Sequence, residues 1–125
     1  MRVHTRRRDG TVRTSREILD QTAEEKALLK SIIEEAEWQG WRAYHATDSR
    51  LNTIYGETGE GFPDLVLIRP PDLLIVETKA ESGQPEPAQL IWLGAFMQVT
   101  RIHVQVWRPR DQAEISRVLA RRPEA

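Results

Sequence analysis

The chain contains 125 residues, of which 39% are apolar and 30% are charged, and its net charge is −1. This length allows one modest hydrophobic core, and no apolar run approaches the ~20 residues needed to span a membrane, so we expect one cytoplasmic domain without membrane contact. The absence of cysteine excludes disulfides, thiol nucleophiles and cysteine-ligated metals, and three scattered histidines leave oxygen as the main metal ligand, which points to Mg²⁺ or Mn²⁺.

Positive charge is concentrated at the N-terminus. Residues 1–16 contain six arginines and a single acid, Asp9. Because the stretch has no apolar periodicity, we predict a flexible basic arm over residues 1–20, followed by one domain over residues 21–125. Arg6, Arg7 and Arg8 can contact DNA phosphates. The alternative is a solvated tail without a binding role.

The first predicted element is a helix over residues 22–39. Apolar residues recur at helical spacing from Leu28 to Ala36, and Gly40 is typical of a helix end. Thr22 and Glu25 match a capping box, which places the start of the helix at Thr22. A short strand over residues 41–47 and a loop over residues 48–62 follow.

The second half of the chain predicts three strands and two helices. Strands over residues 65–68 and 73–79 are joined by a turn that contains Pro70 and Pro71. A helix over residues 87–98, a strand over residues 101–107 and a helix over residues 111–119 follow. A helix that crosses between two strands is typical of an α/β fold, here a central mixed β-sheet flanked by helices.

The four tryptophans fall into two groups. Trp38, Trp41 and Trp92 occupy positions compatible with core packing. Trp107 lies beside Arg108, so it is the better candidate for contact with a partner, for example by stacking on a nucleic-acid base.

Charged residues stand at the ends of the two central strands. Asp64 precedes the first strand, and Glu77 and Lys79 end the second on one face. If the strands pair as a hairpin, the two carboxylates come close and repel each other unless one is protonated or a cation intervenes. A divalent cation held by Asp64, Glu77 and the carbonyl of Thr78 meets that need, with Lys79 beside it to orient water or offset phosphate charge. The alternative is a turn aspartate with a solvent-exposed Glu77–Lys79 ion pair.

These residues carry a family resemblance. The sequence GFPD at residues 61–64, with ETK at residues 77–79, resembles the PD-(D/E)XK nuclease core. The following glycine, and the glutamine that opens the next helix, make the stretch similar to the VRR-NUC (virus-type replication-repair nuclease) family over roughly residues 22–115. The resemblance implies a restriction-endonuclease-like fold that cuts DNA, with Asp64 and Glu77 as ligands of Mg²⁺ or Mn²⁺.

The resemblance also implies roles for further residues. Lys79 would be the catalytic lysine, and Gln89 would position the water or the scissile phosphate. Such nucleases often add an acidic residue from the first helix, and Glu25 fits that place. The neighbouring Glu24 cannot be separated from it by sequence, and helix capping remains the alternative role for Glu25.

A second set of residues, His45, Ser49 and Arg50, lies on the approach to the site. In related phage-type members a histidine and a Ser–Arg pair also occur here, and they would contact DNA near the cut. The alternative is a loop held by local hydrogen bonds, with His45 as a partly buried strand residue.

Stand-alone members of the family resemble small homodimeric resolvases. The resemblance therefore implies branched or duplex DNA and a second copy of the chain as partners, a metal and no organic cofactor, and a phage or prophage source in a bacterial cytoplasm. Holliday junctions and flaps are the expected substrates. The alternative function is a non-catalytic DNA-binding or interaction module of a replication or recombination complex.

Overall fold

The computed structural model describes residues 14–46 and 59–122. These residues form four strands and three α-helices. In order they are α1 (Ser15–Trp38), β1 (Arg42–His45), β2 (Leu65–Arg69), β3 (Asp72–Thr78), α2 (Pro87–Met97), β4 (His103–Trp107), a 3₁₀ turn (Pro109–Asp111) and α3 (Gln112–Ala120).

The strands form one mixed sheet in the order β1-β2-β3-β4. β1 pairs antiparallel with β2, and β2 with β3, whereas β4 lies parallel to β3. The parallel pair requires a crossover, and α2 supplies it. The predicted α/β architecture with a mixed sheet and flanking helices is therefore confirmed, with strand and helix ends shifted by at most two residues from β1 onward.

One face of the sheet carries the main core. Leu65 and Leu67 of β2 lie opposite Val76 and Leu74 of β3, and all four are buried. Alternation along each strand directs these side chains to the same face, where α1 and α3 cover them. The buried cluster comprises Leu28, Ile32, Ala36, Trp41, Leu65, Leu67, Leu74, Val76, Trp107, Ile115 and Leu119.

The opposite face of the sheet is covered near β4 by α2. Ile75 of β3 is adjacent to Val104 of β4 in the register, and both alternate away from the main core. α2 contacts β4 and buries Leu93. Helices therefore lie on both faces, which leaves the ends of the central strands as the places where polar side chains can gather.

Helix α1 begins at Ser15, so the predicted start at Thr22 is wrong. The N-cap is Thr14, whose Oγ1 accepts a hydrogen bond of 3.1 Å from the Glu17 N–H. Thr22 lies inside the helix, where its hydroxyl donates to the Ile18 carbonyl oxygen. Both threonines are followed three residues later by glutamate, and the structure uses the earlier pair. Residues 15–20 of the predicted arm are thus helical, while residues 1–13, with Arg6, Arg7 and Arg8, lie outside the described residues.

Two of the tryptophan predictions are wrong. Trp38, expected in the core, is 88% exposed near the end of α1. Trp107, expected to contact a partner, is 1% exposed, because it shares the face of Thr78 and packs in the main core. Trp41 is buried as predicted, and its Nε1 donates to the Leu119 carbonyl oxygen. Trp92 is half-buried and makes an edge contact with Phe62 at 5.1 Å between ring centroids.

Candidate active site

The β2–β3 hairpin brings Asp64 and Glu77 together. Leu65 lies opposite Val76, so the next step outward along the same register places Asp64 opposite Glu77. One oxygen of Asp64, Oδ2, accepts hydrogen bonds from the N–H of Thr78 at 2.8 Å and from its hydroxyl at 2.7 Å. Asp64 is thereby fixed against the end of β3. The hydroxyl of Thr78 is a contribution that the sequence reading missed, since it considered the carbonyl of this residue alone.

Glu77 is held in an environment that disfavours its charge. Its side chain is 1% exposed, and burial raises its pKa to about 9, assisted by a hydrogen bond with Asp64 and by the charge of Asp64. The positive charge of Lys79 acts in the opposite direction, and the charge of Glu25 adds to the rise. Without a cation, Glu77 therefore retains a proton near neutral pH and shares a hydrogen bond with Asp64.

One oxygen of Glu77, Oε2, is buried and has no hydrogen-bond partner among the residues that the structure describes. A buried carboxylate oxygen without a partner is costly, and native structures rarely leave one unexplained. A divalent cation at this position would bind the free oxygen, replace the proton and satisfy the neighbouring Asp64 at the same time. Within residues 14–46 and 59–122, no group of three or more His, Cys, Asp or Glu side chains could hold a metal ion. Two carboxylates completed by water and substrate phosphate are a typical Mg²⁺ arrangement, so the residues fit this metal.

Lys79 contributes a positively charged side chain to the site. It follows β3 directly, and its N–H donates to the Trp107 carbonyl oxygen at 2.9 Å, which extends the pairing with β4. The side chain is 7% exposed, and its charge favours the ionised form of Glu77. The alternative of an ion pair on a solvated face is therefore wrong, because both residues are buried.

Helix α1 directs two glutamates at the turn that follows Lys79. The N–H of Ala80 donates to Glu25 Oε1 at 3.2 Å, and the N–H of Glu81 donates to Glu24 Oε1 at 3.0 Å. Glu25 acts electrostatically on Glu77, whereas the contact of Glu24 with the turn is exposed. The capping role for Glu25 is wrong, since the helix begins at Ser15.

Glu25 and Lys79 line a common cavity of about 150 Å³ between α1 and the turn. The other lining residues are Ile18, Gln21, Thr22, Gly83, Gln84 and Glu86. A space of this size accommodates a few water molecules beside Glu25 and Lys79.

The first turn of α2 adjoins the segment that leads to Asp64. Gly61 has a φ of +79°, and a Cβ built on it would lie 2.5 Å from the Ala88 carbonyl carbon and 2.7 Å from the Gln89 nitrogen. The side chain of Gln89 accepts a hydrogen bond from the Glu86 N–H at 2.8 Å, within the cap of the helix. The predicted role of Gln89 in positioning water or phosphate remains a prediction.

The predicted DNA-binding residues are only partly described. His45 is the last residue of β1, is exposed and lies opposite Leu65, and the next N–H, from Ala46, donates to the Asp64 carbonyl oxygen at 2.9 Å. This position is next to the site in the sheet. Ser49 and Arg50 lie outside the described residues, so their predicted DNA contacts are not located.

The comparison with known families agrees with the family resemblance found in the sequence. A family model described as the VRR-NUC domain matches residues 4–111. The chain belongs to the VRR-NUC family. No curated protein and no solved structure matched the chain.

The VRR-NUC domain has a PD-(D/E)XK-like nuclease fold, and the sheet and helices described above are consistent with it. Membership makes this chain a nuclease domain of a family generally directed at DNA. Among the helices in the described ranges, none has the length and apolar character required to cross a membrane.

Proposed function

We propose that this VRR-NUC domain is a Mg²⁺- or Mn²⁺-dependent endodeoxyribonuclease. The observation that supports it most directly is the buried oxygen of Glu77 without a partner, opposite Asp64 and close to the charge of Lys79. Asp64, Glu77 and the carbonyl of Thr78 would hold the cation. When bound, the cation would lower the pKa of a water molecule and offset negative charge on the phosphate.

The remaining residues act directly on the substrate. The ammonium of Lys79 would bind a phosphate oxygen and stabilise the charge that grows on it as water attacks phosphorus and one phosphorus–oxygen ester bond breaks. Glu25 would accept a hydrogen bond from the attacking water across the cavity that it shares with Lys79. Gln89 would orient the phosphate from the first turn of α2.

The basic arm and the His45 region would supply further contacts with DNA. Arg6, Arg7 and Arg8 would contact phosphates without reading sequence. His45, Ser49 and Arg50 would contact the strand close to the site. A bacterial cytoplasm that carries a phage or prophage remains the expected location.

We further propose that the protein acts as a homodimer on branched DNA, with α2 as the contact between copies. α2 contains no charged residue. Leu90, Ile91 and Met97 are 55%, 74% and 71% exposed. Together with the exposed Val99, they present on the order of 400–500 Å² of apolar surface, which is half or slightly more of the roughly 800 Å² that one partner contributes to a standard interface.

A second copy fits this face because a two-fold axis brings like surface onto like surface, and an uncharged helix meets no repulsion there. Two sites related by that axis would cut two strands, as resolution of a four-way junction requires. Sedimentation equilibrium tests the dimer. We expect Ile91→Glu to yield a monomer, whereas the control Leu19→Glu, at a 69% exposed apolar position on α1, should leave a dimer. A wild-type monomer at micromolar concentration would refute this part of the proposal.

Cleavage of labelled DNA tests the nuclease. Linear duplex, single-stranded, flap and four-way-junction substrates would be incubated with Mg²⁺, Mn²⁺ or EDTA. We expect metal-dependent cleavage, fastest on a branched substrate, and a loss of at least 100-fold for Glu77→Gln and Lys79→Met. Lys30→Met, on the exposed part of α1, is the matched control and should cut normally. Binding without cleavage in either metal would refute the enzyme and favour the alternative of a non-catalytic DNA-binding or interaction module.

A further inference from the structure

The turn formed by residues 80–83, here called the acid-holding turn, connects three parts of the molecule. Its first two N–H groups hold Glu25 and Glu24 of α1, at 3.2 Å and 3.0 Å. The turn is closed by a hydrogen bond of 3.0 Å from the Gly83 N–H to the Ala80 carbonyl oxygen. The orientation of both α1 carboxylates therefore depends on where this turn lies.

Gly83 lies directly against the carboxylate that the turn holds. The position of a Cβ on Gly83 would be 3.5 Å from Glu25 Oε1 and 3.4 Å from the Ala80 nitrogen. These are ordinary contact distances for an added methyl group, so the space between Gly83 and the Glu25 carboxylate is about one methyl group wide. Gly83 and Glu25 also line the cavity that contains Lys79.

Arg108 also holds the acid-holding turn. Its Nη2 donates to the Gly83 carbonyl oxygen at 2.9 Å, and its own N–H donates to Asp111 Oδ2 at 2.7 Å. Arg108 follows Trp107, whose carbonyl oxygen accepts from the Lys79 N–H. The guanidinium thus connects the end of β4 to the turn just beyond Lys79, and its buried Nε has no hydrogen-bond partner within residues 14–46 and 59–122.

We propose that Arg108 is a positioning residue, which fixes the acid-holding turn and, through the Ala80 N–H, the carboxylate of Glu25 beside the metal site. The inference rests on the proposed nuclease function and deepens it. Arg108 does not touch the reacting atoms in this role. Outer residues that orient the groups around a metal typically change metal affinity or activity by 10- to 100-fold when they are removed.

Arg110 provides a matched control, since it lies two residues after Arg108 and also contacts the acid-holding turn. It lies 3.7 Å from Glu81, and both side chains are substantially exposed, so the pair contributes little. Arg110→Ala removes the same charge as Arg108→Ala from the same region but leaves the contact with Gly83 in place. An effect of overall charge on DNA binding would appear in both variants, whereas an effect of losing the contact between Arg108 and Gly83 would appear in Arg108→Ala alone.

The first measurement is amide hydrogen exchange in the metal-free protein, followed by NMR. We expect the Ala80 and Glu81 amides to exchange at least 10-fold faster in Arg108→Ala than in the wild type, with little change in Arg110→Ala. This measurement requires neither metal nor cleavage. Unchanged exchange rates of the two amides would overturn the role of Arg108, whatever the nuclease assay shows. A wild-type protein that binds no Mn²⁺ would overturn the proposed function instead.

The second measurement is Mn²⁺ affinity by titration calorimetry, in the wild type and in Glu25→Gln. We expect Arg108→Ala to weaken binding about 10-fold in the wild-type background and less than about twofold in Glu25→Gln, because the effect passes through Glu25. An equal loss in both backgrounds, or no loss in either, would overturn the proposal. If Arg108→Ala does not fold, Arg108→Lys, which keeps the charge and one donor, carries the same comparison.

Discussion

Replacing Gly61 by alanine should damage the protein for a reason that the structure makes quantitative. The residue has a φ of +79°, and the left-handed region costs a residue with a Cβ roughly 1–2 kcal/mol. The new Cβ would also meet Ala88 and Gln89 at 2.5–2.7 Å, through backbone atoms that cannot rotate away. Overpacking of this kind costs about 1–3 kcal/mol, so the total loss should be about 2–5 kcal/mol.

Gly59→Ala separates the two contributions. Gly59 has a similar φ of +91°, but a Cβ there would meet nothing within 4 Å. Its loss should be confined to the backbone part, about 1–2 kcal/mol. Urea unfolding in EDTA, followed by circular dichroism, gives both values from the shift in midpoint at constant slope. Equal losses for the two variants would refute the view that Gly61 is required for close approach to α2.

Three further predictions concern charge and packing. For Glu77, the folded-state pKa of about 9 lies above the ordinary value of 4.5, so its favourable effect on stability is complete below pH 4.5 and is lost as pH rises through 9. The free energy of unfolding of the metal-free protein should therefore decline over this range. Glu77→Gln should flatten the decline. Arg69→Met should cost about 2–4 kcal/mol in thermal or chemical unfolding, because it removes hydrogen bonds to the Gln39 and Leu119 carbonyl oxygens and the contact with the Trp41 ring at 4.4 Å. A loss below about 0.5 kcal/mol would contradict that account. Trp38→Ser should change the free energy of unfolding by less than about 0.5 kcal/mol, whereas Trp41→Ala should lower it by about 3–5 kcal/mol. Similar values for the two variants would contradict the exposure of Trp38.

The central part of the site was predictable because its residues are close in sequence and belong to a hairpin. Alternation fixes which residues share a face, and Pro70 and Pro71 mark the turn, so the register that places Asp64 opposite Glu77 follows with few alternatives. The burial of Glu77 and Lys79 was harder to predict, since it depends on helices that are distant in the sequence.

The errors arose where two choices have the same local pattern. Thr14 and Thr22 are both followed by a glutamate at the capping-box spacing, and nothing local selects between them. In β4, Trp107 shares its face with the polar residues His103 and Gln105, so alternation does not indicate that this face packs in the main core. The contact between Arg108 and Gly83 joins two loops and leaves no periodic signal.

The two ends of β2 contribute to different properties of the molecule. Asp64 precedes the strand at the end proposed to be catalytic, and Arg69 ends it about 17 Å away at ~3.4 Å per residue, where its guanidinium donates to carbonyl oxygens at the C-terminal ends of α1 and α3. Changes at such separation are usually additive. Substitutions at the Arg69 end can therefore raise or lower the free energy of unfolding while the proposed site at the Asp64 end stays the same. Stability can thus be adjusted to temperature without loss of the proposed activity.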